Sequence, residues 1–403
     1  MTMTAARQHF PGLADKTFLD AACVSLVPTP AREAVMRFLD MAMSCPARDA
    51  SFHHIEMDRQ RRAVADEVTR LLHAEPRRVA LVESTTHGLG LAALAIQPEP
   101  GTNVLVADTE FMQVAMSWQA TPALRNVESI EIRPVRSENG ALPVEAFERA
   151  MDHRTRVVCV SSVQWCTGYR LDMRRLGELC RERNVWLVVD AIQELGAMRV
   201  DVRERHADFL VAGGHKWLNA PFGCGLMVVS DRVLDELEPP AYGYLSAEEP
   251  AGGWGEYFRT PSISPYDRHR HVREGRAYEI AGTANYLGAV GLGASLQLVN
   301  DLGIDRVEAH IRGLTERLRA GLERAGARLV TPADQDTRSG ITVFRCFDEP
   351  ARDQALVERL LDRRVYVSMR FTAGVGGIRV STHFYNDESD IDRLVDVVRA
   401  ATR

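Results

Sequence analysis

Val188-Val189-Asp190-Ala191-Ile192-Gln193 and, further along, Ala212-Gly213-Gly214-His215-Lys216-Trp217-Leu218 decide how this chain reads. The first run, 186–189, is uniformly apolar and stops at an acid. The second, Asp208-Phe209-Leu210-Val211-Ala212, runs into two glycines, a histidine and a lysine. Each half reads as a strand that ends in polar residues. An acid and a lysine at neighbouring strand ends can hold a heterocyclic cation at one point and bond to it covalently at another. Pyridoxal phosphate asks for that pair: its ring nitrogen wants an anion and its aldehyde an amine.

Outward from this stretch, residues 79–230 alternate apolar runs with helical patterns. The runs are 103–107, 157–161, 186–189, 209–212 and 225–229. Residues 172–184 place Leu176, Leu179 and Cys180 at helical spacing among charges, as an amphipathic crossover helix does. Strand, helix, strand repeated this way predicts an α/β fold with a mainly parallel sheet covered on both faces. Ligands of such sheets bind outside the carboxyl ends of the strands, where Asp190 and Lys216 fall. Residues 239–278 crowd Pro, Gly, Tyr, Arg and His without period and read either as a solvated excursion or as an active-site cover. Beyond Tyr286, helices at 304–325 and 353–362 mix with strands at 341–344 and 378–381, which suggests a smaller α+β lobe. The expected division is a large domain at 17–285 and a small one built from 1–16 and 286–403.

The 403 residues suffice for two or three cores, and 45% apolar with 26% charged residues is an ordinary globular balance. A net charge of -6 with scattered basic residues argues against a nucleic-acid partner. Residues 1–9 lack the apolar core of a signal peptide, and no apolar run approaches the ~20 residues needed to span a bilayer. The expected location is cytoplasmic, with no membrane partner. Seven cysteines, none in a Cys-x-x-Cys pair, point to free thiols rather than a disulfide framework or a zinc centre, and no metal site is expected.

Residue for residue, the Asp190 and Lys216 runs resemble the signature of the class V aminotransferase family, which holds cysteine desulfurases, kynureninases and isopenicillin N epimerase-like enzymes. The resemblance runs from Phe10 to Val398 and implies the pyridoxal phosphate-dependent transferase fold type I. It makes Lys216 the lysine that carries the cofactor and moves the proton at the substrate's Cα. Asp190 becomes the partner of the ring nitrogen, Gln193 a neighbour of the phenolic oxygen and His215 a phosphate contact. Ser84-Thr85-Thr86-His87-Gly88 resembles the family's Gly-Thr-Thr-Glu turn, so Thr85 and Thr86 would meet the phosphate at a helix start. Residues 110–118 align with the stretch that stacks a ring on the cofactor. Desulfurases carry a histidine pair there, whereas this chain has Phe111-Met112. In Ser161-Ser162-Val163-Gln164-Trp165-Cys166-Thr167-Gly168, either Gln164 or Trp165 would reach the ring's oxygen, and spacing does not choose between them. Tyr278-Glu279-Ile280-Ala281-Gly282-Thr283 resembles the turn whose threonine reaches the partner subunit's phosphate, which implies a homodimer with shared sites. Arg379 matches the arginine that grips the substrate's α-carboxylate. Phe18-Leu19-Asp20-Ala21-Ala22-Cys23 looks like the family strand whose small residues border the substrate pocket.

Blander readings stand beside these: Lys216 on the surface, Asp190 as a helix N-cap, Phe111 in a core, Arg379 in a surface ion pair. Gly88-x-Gly90-x-x-Ala93 superficially fits a dinucleotide fingerprint, a weak match: Asp108 follows the 104–107 run, but Thr109-Glu110-Phe111 then leads elsewhere. Two departures from the family pattern matter. The stretch 368–377 holds no cysteine, so the persulfide chemistry of a desulfurase lacks its nucleophile there. Gly213 stands two before the histidine, where the family has a serine or threonine. The resemblance therefore implies an enzyme acting on an amino acid or cysteine S-conjugate through an external aldimine and a quinonoid, with β-elimination (a carbon–sulfur lyase) favoured. Transamination, epimerisation and decarboxylating deamination are the alternatives, and a non-catalytic binding relative is a further one.

Overall fold

The structure, a computed structural model, describes residues 1–125, 129–280 and 282–402. Ala281, inside the turn read at 278–283, lies outside the described residues. Seven strands form the main sheet, in the order Val79–Val82, Gly225–Val229, Phe209–Gly213, Trp186–Asp190, Thr155–Ser161, Asn103–Ala107, Glu131–Val135. Only Gly225–Val229 runs against the others, so the sheet is mainly parallel, as the alternating runs predict. The inner strands are buried on both faces, which is why they read as unbroken apolar runs rather than alternating ones.

The helices that cover the sheet follow from local sequence. Met173–Glu182 buries Met173, Leu176, Leu179 and Cys180 on one stripe, and the Asp172 carboxylate accepts the Arg175 amide at 3.1 Å as its N-cap. Thr85–Ile96 starts at Ser84, whose hydroxyl accepts the His87 amide at 3.1 Å. This helix lies hard against the sheet through Gly88, where an added Cβ would sit 2.4 Å from Val211 Cγ1. Gly88 therefore serves close helix–strand packing; Asp108, which follows strand Asn103–Ala107, lies across the sheet from Val79–Val82 rather than beside it, unlike the acid of a dinucleotide site.

A second, antiparallel sheet has the order Ser368–Thr372, Val375–Ser381, Ile341–Arg345, Arg328–Leu329 and is packed by helices Ile304–Arg324, Pro350–Asp362 and Glu388–Thr402. The chain's beginning is stitched to it: Thr17–Phe18 pairs in parallel with Val365–Tyr366, and Leu19 is buried in the same apolar cluster. Conversely, helix Tyr286–Leu302 buries Leu292, Leu296 and Val299 in the core shared with the main sheet. The segment 239–278 carries a knot of rings, with Trp254 stacked on Phe258 at 5.8 Å and edge-on to Tyr244. It is pinned to helix Ala50–Arg62 through an Arg259–Asp49 ion pair. Among the described residues, no single helix is long and apolar enough to cross a membrane.

Candidate active site

Register brings the two decisive runs together. Val189 lies opposite Leu210 and Asp190 opposite Val211, so the acid and the lysine leave adjacent strands at the same edge. Ser161 ends the next strand opposite Asp190. Asp190 is buried, and its Oδ1 accepts the Ile192 amide at 2.9 Å. Turns follow it rather than a helix, so it is not an N-cap. Burial pushes its carboxyl up to about 6, against the Ile192 amide and Lys216, which favour the anion. Among the described residues, no lysine or arginine nitrogen lies within 4 Å of it. A buried carboxylate without a cation is costly, and a protonated ring nitrogen is the partner it lacks.

Lys216 is half-buried, and burial holds its amine down to about 8, with Asp190 opposing and Arg379 assisting. The amine is therefore partly neutral near physiological pH, as imine formation requires. One signal missed in the sequence sharpens the point. The chain carries 49 Lys plus Arg, and only Lys16 and Lys216 are lysines. Arginine serves every other such position but 16, and position 216 keeps an amine that can lose its proton.

The phosphate end is built from the neighbouring helix start. The Thr85 and Thr86 amides open helix Thr85–Ile96 without intrahelical partners, and Thr85 Oγ1 accepts the Gly213 amide at 2.8 Å. Thr86 is exposed. The glycine at 213 has a physical reason: a Cβ there would lie 3.2 Å from both Thr85 Oγ1 and His215 Nδ1. The His215 ring stacks on Phe222 at 5.0 Å, and burial together with Lys216 drives it down to about 4, so it is neutral.

Gln164 and Trp165 differ in which polar atoms are already partnered. Gln164 is fully buried and spends both amide hydrogens, on Glu110 Oε1 at 2.8 Å and Ser161 O at 3.2 Å, while its oxygen accepts from Thr109. Trp165 Nε1 is a buried donor with no partner. Phe111 is 46% exposed and meets Trp165 edge-on at 5.5 Å, so it is not a core phenylalanine. Gln193 is gripped from both sides: its oxygen accepts Trp217 Nε1 at 2.9 Å and its Nε2 donates to Ala22 O at 3.1 Å. Thr283 is exposed.

Arg379 is buried, not on the surface. Its Nη2 meets Asp20 Oδ1 at 3.1 Å, its Nη1 donates to Trp165 O at 3.2 Å, and its Nε has no partner. Ser25 N donates to His215 O at 2.9 Å, so the segment carrying Asp20 and Cys23 runs alongside the lysine loop. Sequence reading missed Asp20, which it took only for its small neighbours. An acid inside Phe18-Leu19-Asp20-Ala21-Ala22 invites the same argument as Asp190. It also missed Glu110, a buried carboxyl that accepts from Ser161 N at 2.7 Å and that burial pushes up to about 7.

These residues fit pyridoxal phosphate. A neutralisable lysine, a buried carboxylate in no direct ion pair among the described residues, free amides at a helix start and an orphaned indole N–H converge on one edge of the sheet. The Aminotransferase class-V family model matches residues 17–394. The isopenicillin N epimerase of Streptomyces clavuligerus is 30% identical over 341 residues, covering 84% of this chain and 83% of its own length. A probable cysteine desulfurase of Methanothermobacter thermautotrophicus is 26% identical over 96% of this chain and 95% of its own. Among solved structures, the cystine C–S lyase C-DES in complex with its reaction product cysteine persulfide aligns with a TM-score of 0.82 at 23% identity, over 97% of this chain and 99% of that one. A cysteine desulfurase from Thermococcus onnurineus aligns with a TM-score of 0.82 at 22% identity, over 98% and 97%. The structural likenesses bear out the expected fold.

Proposed function

The chain belongs to the class-V aminotransferase family, and from that premise we propose a pyridoxal phosphate-dependent carbon–sulfur lyase acting on an amino acid or cysteine S-conjugate by β-elimination. Bound through its aldehyde, the cofactor supplies an electron sink for the bond pair released at the substrate's Cα. Asp190 would hold the proton on the ring nitrogen, a task for a buried carboxylate with no direct ion-pair partner among the described residues. Lys216, partly neutral, would hold the cofactor's aldehyde and would serve as the base for the proton on the substrate's Cα. Arg379 binds the α-carboxylate and so fixes which bond faces the lysine. Phe111 and the Trp165 N–H are available to the ring's face and oxygen, and Thr85, Thr86 and neutral His215 to the phosphate.

The observation that carries elimination over desulfuration is the form of the 368–377 stretch. It is a closed hairpin, Ser368–Thr372 against Val375–Ser381, turned by Ala373 and Gly374 with φ of 49° and 78°. It has neither a cysteine nor the length of a swinging loop. The test is incubation with cysteine S-conjugates, looking for thiol, pyruvate and ammonia in equal amounts. Epimerisation is the second reading, favoured by the relative at 30% identity, and solvent deuterium at Cα without elimination products would establish it.

The proposal includes a homodimer in which Thr283 serves the partner's phosphate. Exposed apolar side chains support it: Phe222 at 69% and Met112 at 67% exposure stand beside the His215 and Phe111 positions, and Ile280 at 44% lies close to Thr283 in sequence. Sedimentation at increasing concentration tests it, with Thr283→Ala expected to weaken cofactor retention but not association.

A further inference from the structure

Arg370 carries a charge that no acid answers. Strand Ser368–Thr372 pairs with Val375–Ser381 so that Ser368 faces Arg379 and Arg370 faces Gly377. Directly opposed residues share a face, and so do residues two apart, so Ser368, Arg370 and Arg379 project on one side. The backbone origins of Ser368 and Arg370 are ~7 Å apart, within reach of one small ligand. Ser368 Oγ donates to Asp20 Oδ1 at 2.9 Å, the oxygen that receives Arg379. Arg370 Nη1 donates to Met369 O at 2.8 Å, and its Nη2 lies 3.7 Å from Cys23 Sγ. Among the described residues, no carboxylate oxygen comes within 4 Å of it. Burial depresses the basicity of Arg379, Asp20 opposes, and the neighbouring charge of Arg370 depresses it further.

This group of side chains therefore holds two guanidiniums and one carboxylate. Arg379 is discharged by Asp20, and one positive charge remains, that of Arg370. We infer that Arg370 is the second arm of a two-arginine clamp on the substrate's α-carboxylate: Asp20 fixes Arg379 in place and Arg370 supplies the net charge that neutralises the anion. The inference rests on the proposed action on amino acids. A single carboxylate balances the single spare charge, whereas a substrate with a second anion would leave one uncompensated. The Arg379 Nε, buried and unpartnered, remains as a hydrogen-bond donor to the same carboxylate.

The experiment titrates the cofactor-loaded enzyme with L-alanine, L-cysteine and S-ethyl-L-cysteine and with the carboxamide of each, following the visible absorption band. Wild type, Arg370→Gln and Arg370→Lys are compared. Arg370→Gln is expected to lose about 10- to 100-fold in affinity for the acids and less than about twofold for the amides, with Arg370→Lys restoring part of the loss. Equal losses for acids and amides, or no loss for either, overturn the clamp. A wild-type band that responds to no amino acid overturns the proposed function, and that result appears before any variant is compared.

Discussion

Asp20 Oδ1 lies 3.1 Å from Arg379 Nη2, a buried ion pair that joins the start of the chain to its carboxyl-terminal lobe across 359 positions. The pair explains how an arginine only 1% exposed is kept charged and aimed before any substrate arrives. Asp20→Asn leaves that charge without its counter-ion and is expected to cost on the order of 3 kcal/mol of stability in the ligand-free protein. Part of the loss should return when a carboxylate ligand is added. Urea unfolding with and without amino acid measures both; an unchanged midpoint contradicts the role given to Asp20.

Lys216 titrates near pH 8, not near 10.5, because burial disfavours its charged form. A group at 10.5 would be only roughly 0.3% neutral at pH 8. Uptake of pyridoxal phosphate by cofactor-free protein is expected to rise about tenfold per pH unit below 8 and to level off above it. A rate still climbing at pH 10 contradicts this.

Trp165→Phe keeps an aromatic ring, smaller than the indole, and removes the orphaned N–H. An unpaired buried donor stabilises nothing, so the cofactor-free protein should be as stable as wild type or up to ~1–3 kcal/mol more stable. Cofactor or substrate affinity should fall by about 2- to 10-fold, the worth of one hydrogen bond. Thermal unfolding of both forms separates the two effects, and a destabilised cofactor-free variant with normal affinity rules the role out.

Glu194 is wholly buried between Arg205, at 2.7 Å from each oxygen, and Arg170 at 2.9 Å. Burial alone would raise its pKa, but the two arginines hold it down to about 2. Its folded pKa lies below its ordinary 4.5, so its contribution is fully present above 4.5 and drains away as pH falls toward 2. Glu194→Gln is expected to cost about 3–5 kcal/mol at pH 7 and to flatten the acid limb of the stability curve. An unaltered acid limb contradicts the assignment.

The parallel sheet was legible because its inner strands are buried on both faces, and a run such as Phe209 to Ala212 has no other plausible use. Asp190 and Lys216 were legible for a related reason: polar groups that end apolar strands must be there for a partner. What escaped was whatever depends on register or on a distant segment. Arg370 gains meaning only once the hairpin puts it beside Arg379, and Asp20 only once Thr17–Phe18 joins the late strands. That Gln164 has its amide hydrogens already committed required knowing that Glu110, 54 positions away, holds the glutamine.

The imine between the cofactor and Lys216 is the claim on which the rest depends, and borohydride reduction followed by peptide mass mapping tests it most directly. The chain offers few competitors, Lys16 and the amino terminus alone. Lys16 lies 3.8 Å from Asp15 and 5.5 Å from the Tyr366 ring, beside the strand pair of the small lobe. The expected result is one pyridoxyl label per chain, on the peptide containing Lys216, and none in Lys216→Ala. A label on Lys16 or the terminus, or a reduced protein with no label, contradicts the account.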